Sequence, residues 1–530
     1  MLIPYNIKIF ITLSLRLTRI IPLLLLSVML FVSACATRYL PEHPPQKIIN
    51  NAYPPATKGK IADLATRLQV LHGQGKPASL ALARNDEALR WRILLTDLAT
   101  ESIDLQTFIL HNDASASFLL DRLIAAADRG VRVRILIDDF LISNDKNIPI
   151  LDSHPNIEVH VFNPWRGRET TIGKGFEFIT RMDRLNQRMH NKLMVIDNHA
   201  AIMGGRNISD EYFGINSNFN FRDMEILTIG PIVKEISHQF DIYWNDALAY
   251  PGDAFAHRKI TSKMLDELRK DLNKQISKSQ TLLAQFSAPQ QGWDSYLEYF
   301  QNKSTSGKTW VVYDDPPVSV ADKTQVRHTH RMNGLEIVPQ KELLIISAYF
   351  IPDNQTLEDF KGLIKKGVSI KILTNSLGSN DQIITNSAYK FKRIPILKTG
   401  AELYELRSDA KDRIMSEDPR VKAKWLGLHS KLIIIDRKIS YVGSLNWDPR
   451  SIAINTEIGL IIEDPVLGEQ LAQIALRDMH PENAWRVLID SKGKLYWKNS
   501  DRKVYLQPAR NLWRRIKDAF YTLLPIKDQL

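Results

Sequence analysis

The chain has 530 residues, of which 44% are hydrophobic and 24% are charged. This length suits two or three domains, and the composition is that of a globular protein, which excludes a fully disordered chain. The formal net charge of +11 favours anionic partners such as anionic lipid, nucleic acid or phosphate substrates. The single cysteine excludes an intrachain disulfide framework and thiolate zinc sites.

The N-terminus has the parts of an export signal. Basic residues precede an apolar run over 20–32, and small residues then lead to Cys35. The run is too short to span a bilayer comfortably. It resembles a bacterial lipoprotein signal, in which the cysteine is lipidated and becomes the first mature residue. An uncleaved anchor and a buried core cysteine are the alternatives.

On the lipoprotein interpretation, residues 1–35 are signal and anchor, and the Pro-rich residues 36–60 are an extended spacer. The rest of the chain is then expected in the bacterial cell envelope, lipid-anchored to a membrane on its periplasmic side.

Residues 61–250 are predicted to form a first lobe. The stretch 61–100 has helical spacing, strands are expected over 102–110, 131–137 and 157–162, and a helix over 118–128 ends before Gly130. A basic segment, 166–188, follows; it suits either a surface for anionic headgroups or a solvated loop.

The order recurs over residues 336–490, the predicted second lobe. Strands are expected over 343–350, 368–373 and 402–406, and a helix over 356–366 ends before Gly367. Strands alternating with helices predict an α/β fold of two similar lobes, each with a mostly parallel or mixed sheet.

Two further segments complete the domain prediction. Residues 251–335 are highly charged, contain a helical run over 264–286, and are expected to be a connector. Residues 491–530 are expected to hold a hairpin and an amphipathic helix whose apolar face comprises Leu512, Trp513, Ile516, Phe520, Leu523 and Leu524. Such a helix suits an anionic membrane surface or docking on its own domain.

One polar stretch occurs twice in a fixed register. The copies read His190-Asn-Lys192-Leu-Met-Val-Ile-Asp197 with Gly204-Gly205-Arg-Asn207, and His429-Ser-Lys431-Leu-Ile-Ile-Ile-Asp436 with Gly443-Ser444-Leu-Asn446. Equivalent positions are 239 residues apart throughout, as 429 − 190 shows. An internal duplication that keeps polar residues in register indicates shared chemistry.

The paired motifs suit a phosphodiester. Period two on a strand puts each His and its Lys on one face, so two facing lobes offer two of each, plus two Asn side chains. One His attacks phosphorus, while the other protonates the leaving alkoxide and then activates the second nucleophile. The lysines and Asn207 and Asn446 bind the non-bridging oxygens. No metal or other cofactor is expected.

Four acidic residues have other expected roles. Asp197 and Asp436 lie on the opposite strand face and are expected to tie a turn or bridge the lobes. Asp223 and Glu457 start apolar strands and are candidates to orient the histidines, with a structural salt bridge as the alternative. The motif residues Gly204, Gly205, Gly443 and Ser444 are expected to be structural.

The duplicated motif is the signature of the phospholipase D superfamily, which the chain resembles over about residues 90–480. That resemblance implies two α/β lobes with the active site in the cleft between them, and the roles given above to the His, Lys and Asn residues. By family habit the N-terminal histidine, here His190, is the nucleophile.

Other stretches resemble the bacterial cardiolipin synthases of the C type: Leu151-Asp-Ser-His-Pro-Asn-Ile-Glu-Val, Arg188-Met-His-Asn-Lys, Gly204-Gly-Arg-Asn-Ile, Leu373-Thr-Asn-Ser-Leu377 and Asp448-Pro-Arg-Ser451. This resemblance implies transfer of a phosphatidyl group to a lipid alcohol, with phosphatidylglycerol and phosphatidylethanolamine as substrates. We therefore expect a membrane-anchored phosphatidyltransferase that is monomeric, meets a membrane surface and binds no nucleic acid. A hydrolytic phospholipase D is the alternative, ahead of a nuclease or a non-catalytic lipid-binding scaffold.

Overall fold

A computed structural model describes residues 40, 44, 49–141, 146–168, 174, 177, 180–256, 258–317 and 327–523. Cys35, the predicted lipidation site, and Leu524 of the predicted C-terminal apolar face lie outside these residues. The chain divides into two units, one formed by Met1–Glu42 and Trp165–Met182, the other by His43–Pro164 and Asp183–Leu530. In the smaller unit, the backbone N–H groups of Arg166 and Gly167 donate to the Glu177 carboxylate at 2.8 and 2.9 Å.

Both large sheets belong to the larger unit. The strands are β1 (Ala78–Leu82), β2 (Ser102–Thr107), β3 (Arg132–Asp138), β4 (Ile157–Phe162), β5 (Leu193–Ile196), β6 (Ala200–Gly204), β7 (Phe219–Arg222), β8 (Glu225–Ile229), β9 (Ala249–Pro251), β10 (Thr305–Ser306), β11 (Lys308–Tyr313), β12 (Glu342–Ser347), β13 (Ser369–Asn375), β14 (Glu402–Leu406), β15 (Trp425–Leu428), β16 (Lys431–Ile435), β17 (Ile439–Gly443), β18 (Ile458–Glu463), β19 (Ala484–Ile489), β20 (Leu495–Lys498) and β21 (Lys503–Val504).

The helices flank these strands. They are α1 (Lys60–His72), α2 (Asn85–Leu98), α3 (Ala114–Asp128), α4 (Asn147–Asp152), α5 (Met182–Asn186), α6 (Val233–Trp244), α7 (Ser262–Lys278), α8 (Gln280–Leu283), α9 (Asp294–Lys303), α10 (His328–Asn333), α11 (Asn354–Lys365), α12 (Ile383–Tyr389), α13 (Arg393–Thr399), α14 (Pro449–Ala453), α15 (Pro465–Asp478) and α16 (Leu512–Tyr521). In the described part of the chain, none of these helices is both long and apolar enough to cross a bilayer.

The two sheets repeat one topology. The first has the order β10-β1-β8-β6-β5-β2-β3-β4-β9, and the second β11-β18-β17-β16-β12-β13-β14-β19-β20-β21. Strands β2, β3 and β4 are parallel, as are β12, β13 and β14, while β5 and β16 run antiparallel beside β2 and β12. The predicted α/β fold of two similar lobes with mixed sheets is therefore confirmed.

The first crossover helix has the same signals at both ends in the two lobes. Asp113 and Asp353 cap α3 and α11, each accepting a hydrogen bond from a backbone N–H three residues on. After the helices, Gly130 and Gly367 take positive φ values of 96° and 90°, which a residue with a Cβ adopts only at a cost. These local signals are why both helix ends could be predicted.

One buried cluster joins the lobes. Apolar side chains of β5 and β6 in the first lobe and of β12, β16 and β18 in the second belong to a single core. Each lobe also contributes one strand to a third, two-stranded sheet, in which β7 of the first lobe pairs in parallel with β15 of the second. The lobes are thus fixed against each other by both packing and backbone hydrogen bonds.

The segments outside the repeats extend the sheets. Strand β10 pairs with β1 of the first sheet, and β11 pairs along its length with β18 of the second. The expected C-terminal hairpin is β20–β21, which continues the second sheet beyond β19. The helical expectation for 61–100 was wrong at β1, where an alanine-rich segment of low strand propensity pairs with β8.

Candidate active site

Each motif histidine lies at the end of a segment held by the opposite lobe. The backbone N–H of His190 donates to the Thr456 carbonyl at 2.9 Å, and that of His429 donates to the Arg222 carbonyl at 2.8 Å. Thr456 immediately precedes Glu457 in the chain, and Arg222 immediately precedes Asp223. Backbone pairing therefore brings each histidine beside a carboxylate from the other lobe.

The carboxylates are exchanged between the lobes. His190 Nδ1 lies 2.8 Å from Glu457 Oε2 and 3.0 Å from Oε1, whereas His429 Nδ1 lies 2.7 Å from Asp223 Oδ2. Each histidine is thus paired with the acid that follows the other motif in the chain. Since Nδ1 faces a carboxylate in both pairs, both Nε2 atoms are left for chemistry.

The motif lysines are buried beside their histidines. Lys192 Nζ donates to the His190 carbonyl at 2.7 Å. Lys431 Nζ donates to the His429 carbonyl and lies 3.0 Å from His429 Nδ1. Both lysines are at most 2% exposed, so two ammonium groups face a small site with little water to screen them.

The two motif asparagines are bonded differently. Asn207 Nδ2 donates to the Tyr212 hydroxyl at 2.9 Å, and its Oδ1 accepts from the Ile109 backbone N–H at 3.2 Å. Asn446 is also buried, but its Oδ1 has no hydrogen-bond partner among the described residues. The amide oxygen of Asn446 is therefore an unused hydrogen-bond acceptor.

Close packing explains the small residues of the motif. A Cβ on Gly205 would lie 2.2 Å from Asp223 Oδ1, so only glycine leaves room for that carboxylate. In the second lobe the equivalent Ser444 donates its hydroxyl to Glu457. A Cβ on Gly204 would lie 2.5 Å from the Met224 carbonyl, and one on Gly443 would lie 2.4 Å from the Ile458 carbonyl.

Asp197 and Asp436 act on the backbone at the far end of the motif strands. Asp197 accepts N–H bonds from residues 100, 101 and 102 at 2.8 to 3.1 Å, and Asp436 accepts them from residues 340, 341 and 342 at 2.7 to 2.9 Å. Both have φ near 50°. Each aspartate ties the loop before β2 or β12 to the motif and lies away from the histidines.

Burial makes the two histidine pairs electrostatically unequal. Burial, with the charges of Lys192 and Lys431, lowers the pKa of His190 well below its usual value, and burial raises the pKa of Glu457 well above its usual value. Burial would likewise raise the pKa of Asp223, but the charge and hydrogen bond of His429 outweigh it and hold that pKa below normal.

The second pair therefore tolerates charge better than the first. Burial and Lys431 lower the pKa of His429, while Asp223 opposes this effect through its charge and its hydrogen bond. A neutral imidazole is thus favoured at His190, and an imidazolium is more accessible at His429. Burial also lowers the pKa of Lys192 to about 7 and that of Lys431 to about 8.

Aromatic rings line both sides of the site, and the duplicated motif did not predict them. Phe108 packs its edge against His190 at 5.0 Å between centroids, and Tyr212 does the same to His429 at 5.1 Å. Tyr349 donates to Asp381 at 2.9 Å, and the charge of Asp381 reaches His429. No short motif marks these residues, since strand-forming aromatics are common.

Arginines of the basic segment 166–188 and of the stretch 448–451 donate hydrogen bonds to other groups of the protein. Arg184 donates to the Pro164 carbonyl at 3.0 Å and Arg188 to that of Asn163 at 3.2 Å. Arg450 donates to the Asn186 side chain at 2.7 Å, linking the second lobe to the first. Phe176, Phe178 and Ile179 of the basic segment lie outside the described residues. Across the described ranges, no group of three His, Cys, Asp or Glu side chains could hold a metal ion.

Comparison with known proteins matches this geometry to a family. A family model described as "Cardiolipin synthase, PLD-like domain" matches residues 94–244 and 338–479, each containing one motif copy. Cardiolipin synthase C of Escherichia coli is 31% identical over 477 residues, which cover 86% of this chain and 96% of that protein. Cardiolipin synthase 1 of Bacillus anthracis is 26% identical over 388 residues, which cover 71% of this chain and 61% of that protein.

The fold is also similar to that of a solved enzyme. The crystal structure of phosphatidylserine synthase from Haemophilus influenzae aligns with a TM-score of 0.50 at 15% identity, covering 79% of this chain and 91% of that one. At this identity the likeness concerns the two-lobed fold alone.

Proposed function

We propose, from the premise that the chain belongs to the cardiolipin synthase family of PLD-like domains, that it is a membrane-anchored phosphatidyltransferase acting through a covalent phosphohistidine. The chain is an enzyme of the phospholipase D superfamily, and its relatives support phosphatidyl transfer. The observation that carries the proposal is the reciprocal pairing of two buried histidines with the acids of opposite lobes, each beside a buried lysine.

In the first step, His190 Nε2 attacks the phosphorus of a phospholipid diester. Glu457 keeps the proton on Nδ1, so that Nε2 carries the lone pair. The bond from phosphorus to the leaving alkoxide breaks as the new P–N bond forms. His429, as the imidazolium that Asp223 stabilises, gives its Nε2 proton to that alkoxide. The low pKa of His190 and the better tolerance of charge at His429 support this division of roles.

In the second step, His429 is neutral and takes a proton from the hydroxyl of the acceptor. The acceptor oxygen attacks phosphorus, the P–N bond breaks, and His190 is released in its starting form. A hydroxyl of phosphatidylglycerol gives cardiolipin, whereas water gives phosphatidic acid. Hydrolysis is therefore the alternative outcome of the same site, and the acceptor decides between them.

The lysines and asparagines are proposed to bind the phosphoryl oxygens. Lys192 and Lys431 supply positive charge in a site that water hardly screens, where such charge is most effective. Asn446 is proposed to add a neutral contact through its Nδ2 group, because only that side of the amide can donate a hydrogen bond to a phosphoryl oxygen. Charge that develops on the non-bridging oxygens in the transition state is thereby stabilised.

Similarity to cardiolipin synthase C supports cardiolipin as the product. We propose phosphatidylglycerol as the acceptor and phosphatidylethanolamine as a donor. We propose that Cys35 is lipidated and holds a monomeric enzyme on the periplasmic side of a bacterial membrane. The mass of the mature N-terminal peptide from cell envelopes, compared with a Cys35→Ser variant, tests the anchor.

The activity is tested on purified protein in mixed micelles with a metal chelator present. Labelled phosphatidylethanolamine is the donor, with phosphatidylglycerol present or absent. Ethanolamine release together with new cardiolipin is expected from the wild type and from His480→Ala, a matched change at an exposed histidine. Both products should disappear in His190→Ala and His429→Ala.

Other outcomes point elsewhere. Phosphatidic acid alone, whether or not phosphatidylglycerol is present, indicates the hydrolase. If the folded protein turns over no phosphodiester, the enzyme proposal fails and a lipid-binding scaffold takes its place.

A further inference from the structure

The C-terminal helix α16 is docked with its polar side inward. Asp518, only 2% exposed, accepts hydrogen bonds from Asn386 at 2.7 Å and from Lys390 at 2.9 Å. Arg514 donates to the carbonyls of Leu377 and Asn380 on the loop after β13. Polar contacts therefore fix the orientation of the helix on the second lobe.

This docking leaves the apolar face of α16 in solvent. Large apolar side chains follow one another on that face at helical spacing and are all exposed: Leu512 68%, Trp513 61%, Ile516 48%, Phe520 57% and Leu523 81%. A helix that rests on its own domain normally buries its apolar face and exposes its polar one. A continuous apolar face of this kind marks an interaction surface.

The composition around the helix selects the partner. Residues 507–523 hold four basic side chains and one acidic side chain, and the acidic one, Asp518, is already bonded. Lys517 is exposed beside the apolar face. Tryptophan, phenylalanine and leucine bordered by Lys and Arg are the composition of helices that lie in the headgroup region of anionic membranes. A protein partner would require no such excess of positive charge.

The helix is also close to the catalytic cleft. Arg514 donates a hydrogen bond to the carbonyl of Asn380. The next residue, Asp381, accepts from the Tyr349 hydroxyl, and its negative charge acts to raise the pKa of His429 and of Lys431. Arg510 donates to Gly378 on the same loop. One loop thus carries the helix on one side and lines the His429 side of the cleft on the other.

We infer that α16 is an interfacial helix that inserts its apolar face into an anionic phospholipid surface and so seats the His429 side of the cleft on the membrane. This contact is separate from the N-terminal anchor. It rests on the proposed function in so far as the seated cleft takes its substrates from that surface. The partner is the lipid surface itself, in which the headgroups of both substrates lie.

The insertion is tested without turnover, on the full chain bound to vesicles of phosphatidylethanolamine and phosphatidylglycerol. Acyl chains brominated near the headgroup quench tryptophans that enter the bilayer. We expect quenching in the wild type and in Trp310→Phe, and its loss in Trp513→Phe. Equal quenching in Trp513→Phe and wild type would overturn the inference, and this reading stands even if the protein turns over no lipid.

The consequence for catalysis is tested with a variant and a matched control. Leu512→Ser/Trp513→Ser/Phe520→Ser should lower the rate on vesicles by about tenfold or more and leave the rate on a monomeric short-chain donor unchanged. Val70→Ser/Leu71→Ser/Val466→Ser, which alters exposed apolar residues outside α16, should leave both rates unchanged.

Two results would contradict the inference. Loss of rate on both donors would mean that α16 supports the cleft rather than meeting lipid. If the triple serine variant of α16 is a monomer where the wild type is a dimer, and its rate on vesicles is unchanged, the apolar face is a contact between copies of the chain. If the wild type acts on neither donor while Trp513 is quenched, the proposed function fails and the interfacial helix stands.

Discussion

Replacing Glu457 with glutamine tests whether an acid of one lobe controls the histidine of the other. Ser444 receives the backbone N–H of Ile458 at 3.0 Å and gives its own proton to Glu457. In Glu457→Gln the amide oxygen must therefore take the Oε2 position, which faces Ser444 and lies 2.8 Å from His190 Nδ1, and the NH2 group takes the Oε1 position, 3.0 Å from Nδ1. The NH2 donor competes with the Nδ1 proton, which favours the tautomer protonated at Nε2 and so removes the lone pair proposed to attack phosphorus.

The expected loss can be worked from this geometry. One buried, charge-assisted hydrogen bond accounts for about 2–3 kcal/mol, and the unfavourable tautomer adds to it. Carboxylate-to-amide changes that impose the wrong tautomer on a catalytic histidine cost about 10⁴-fold in rate, or about 5 kcal/mol. We expect Glu457→Gln to lower the rate of the first step by about 10³- to 10⁴-fold. Glu463→Gln, an exposed change at the end of β18, the strand that follows Glu457, should have no effect.

The assay is single-turnover release of leaving group from two donors, a natural phospholipid and a phosphatidyl ester of p-nitrophenol. The nitrophenolate needs no acid to leave, so Asp223→Asn, which acts through His429, should be largely rescued by that donor. Glu457→Gln should not be rescued, because the nucleophile itself is impaired. If nitrophenol rescues Glu457→Gln and not Asp223→Asn, the histidine roles are reversed. A Glu457→Gln rate within tenfold of wild type would refute the orienting role.

Three further changes probe the rest of the site. Gly205→Ala should abolish activity because its Cβ would lie 2.2 Å from the Asp223 carboxylate. Gly362→Ala, at an open helical position, should keep activity and raise the free energy of unfolding by up to about 1 kcal/mol. The micelle assay measures the activity of each variant, and urea titrations measure its free energy of unfolding. Asp436→Ala should lower the free energy of unfolding by about 2 kcal/mol at neutral pH, since backbone N–H bonds outweigh burial and hold the Asp436 pKa below normal. This deficit should shrink as pH falls from the usual carboxylate range through that lowered pKa, and a deficit that does not shrink in acid would contradict the reasoning. Burial lowers the pKa of the two motif lysines to about 7 and about 8, so kcat/KM should fall as pH rises through that range. Between that range and the usual lysine pKa, the free energy of unfolding should rise with pH, because the unfolded chain binds more protons than the folded one. A variant in which both motif lysines are replaced by methionine should lose that rise in stability.

The elements that could be predicted are those with local signals. Runs such as Val133 to Ile137 form strands because β-branched residues fit a buried pleated surface, and the glycines after α3 and α11 marked the helix ends. The repeat of the motif pointed to two lobes because polar residues in one register are rare by chance. All of these signals lie within a few residues of the feature they predict.

The features that escaped prediction depend on contacts between distant segments. Spacing along the chain places Asp223 after His190, and only the pairing of β7 with β15 turns it toward His429. Likewise, the apolar pattern of α16 was visible in the sequence, but its direction depends on hydrogen bonds to Asn386 and Lys390. A pattern shows that a helix has two faces, and tertiary contacts decide which one meets solvent.

The exchange of acids between lobes also bears on how the enzyme is made. His190 and Glu457 are 267 residues apart, and ribosomes add about 5–20 residues per second. The first histidine is therefore synthesised about 13 to 53 s before the acid that orients it. During that interval His190 has neither its carboxylate partner Glu457 nor the second motif histidine opposite it. The proposed reaction therefore requires that synthesis has reached the second lobe.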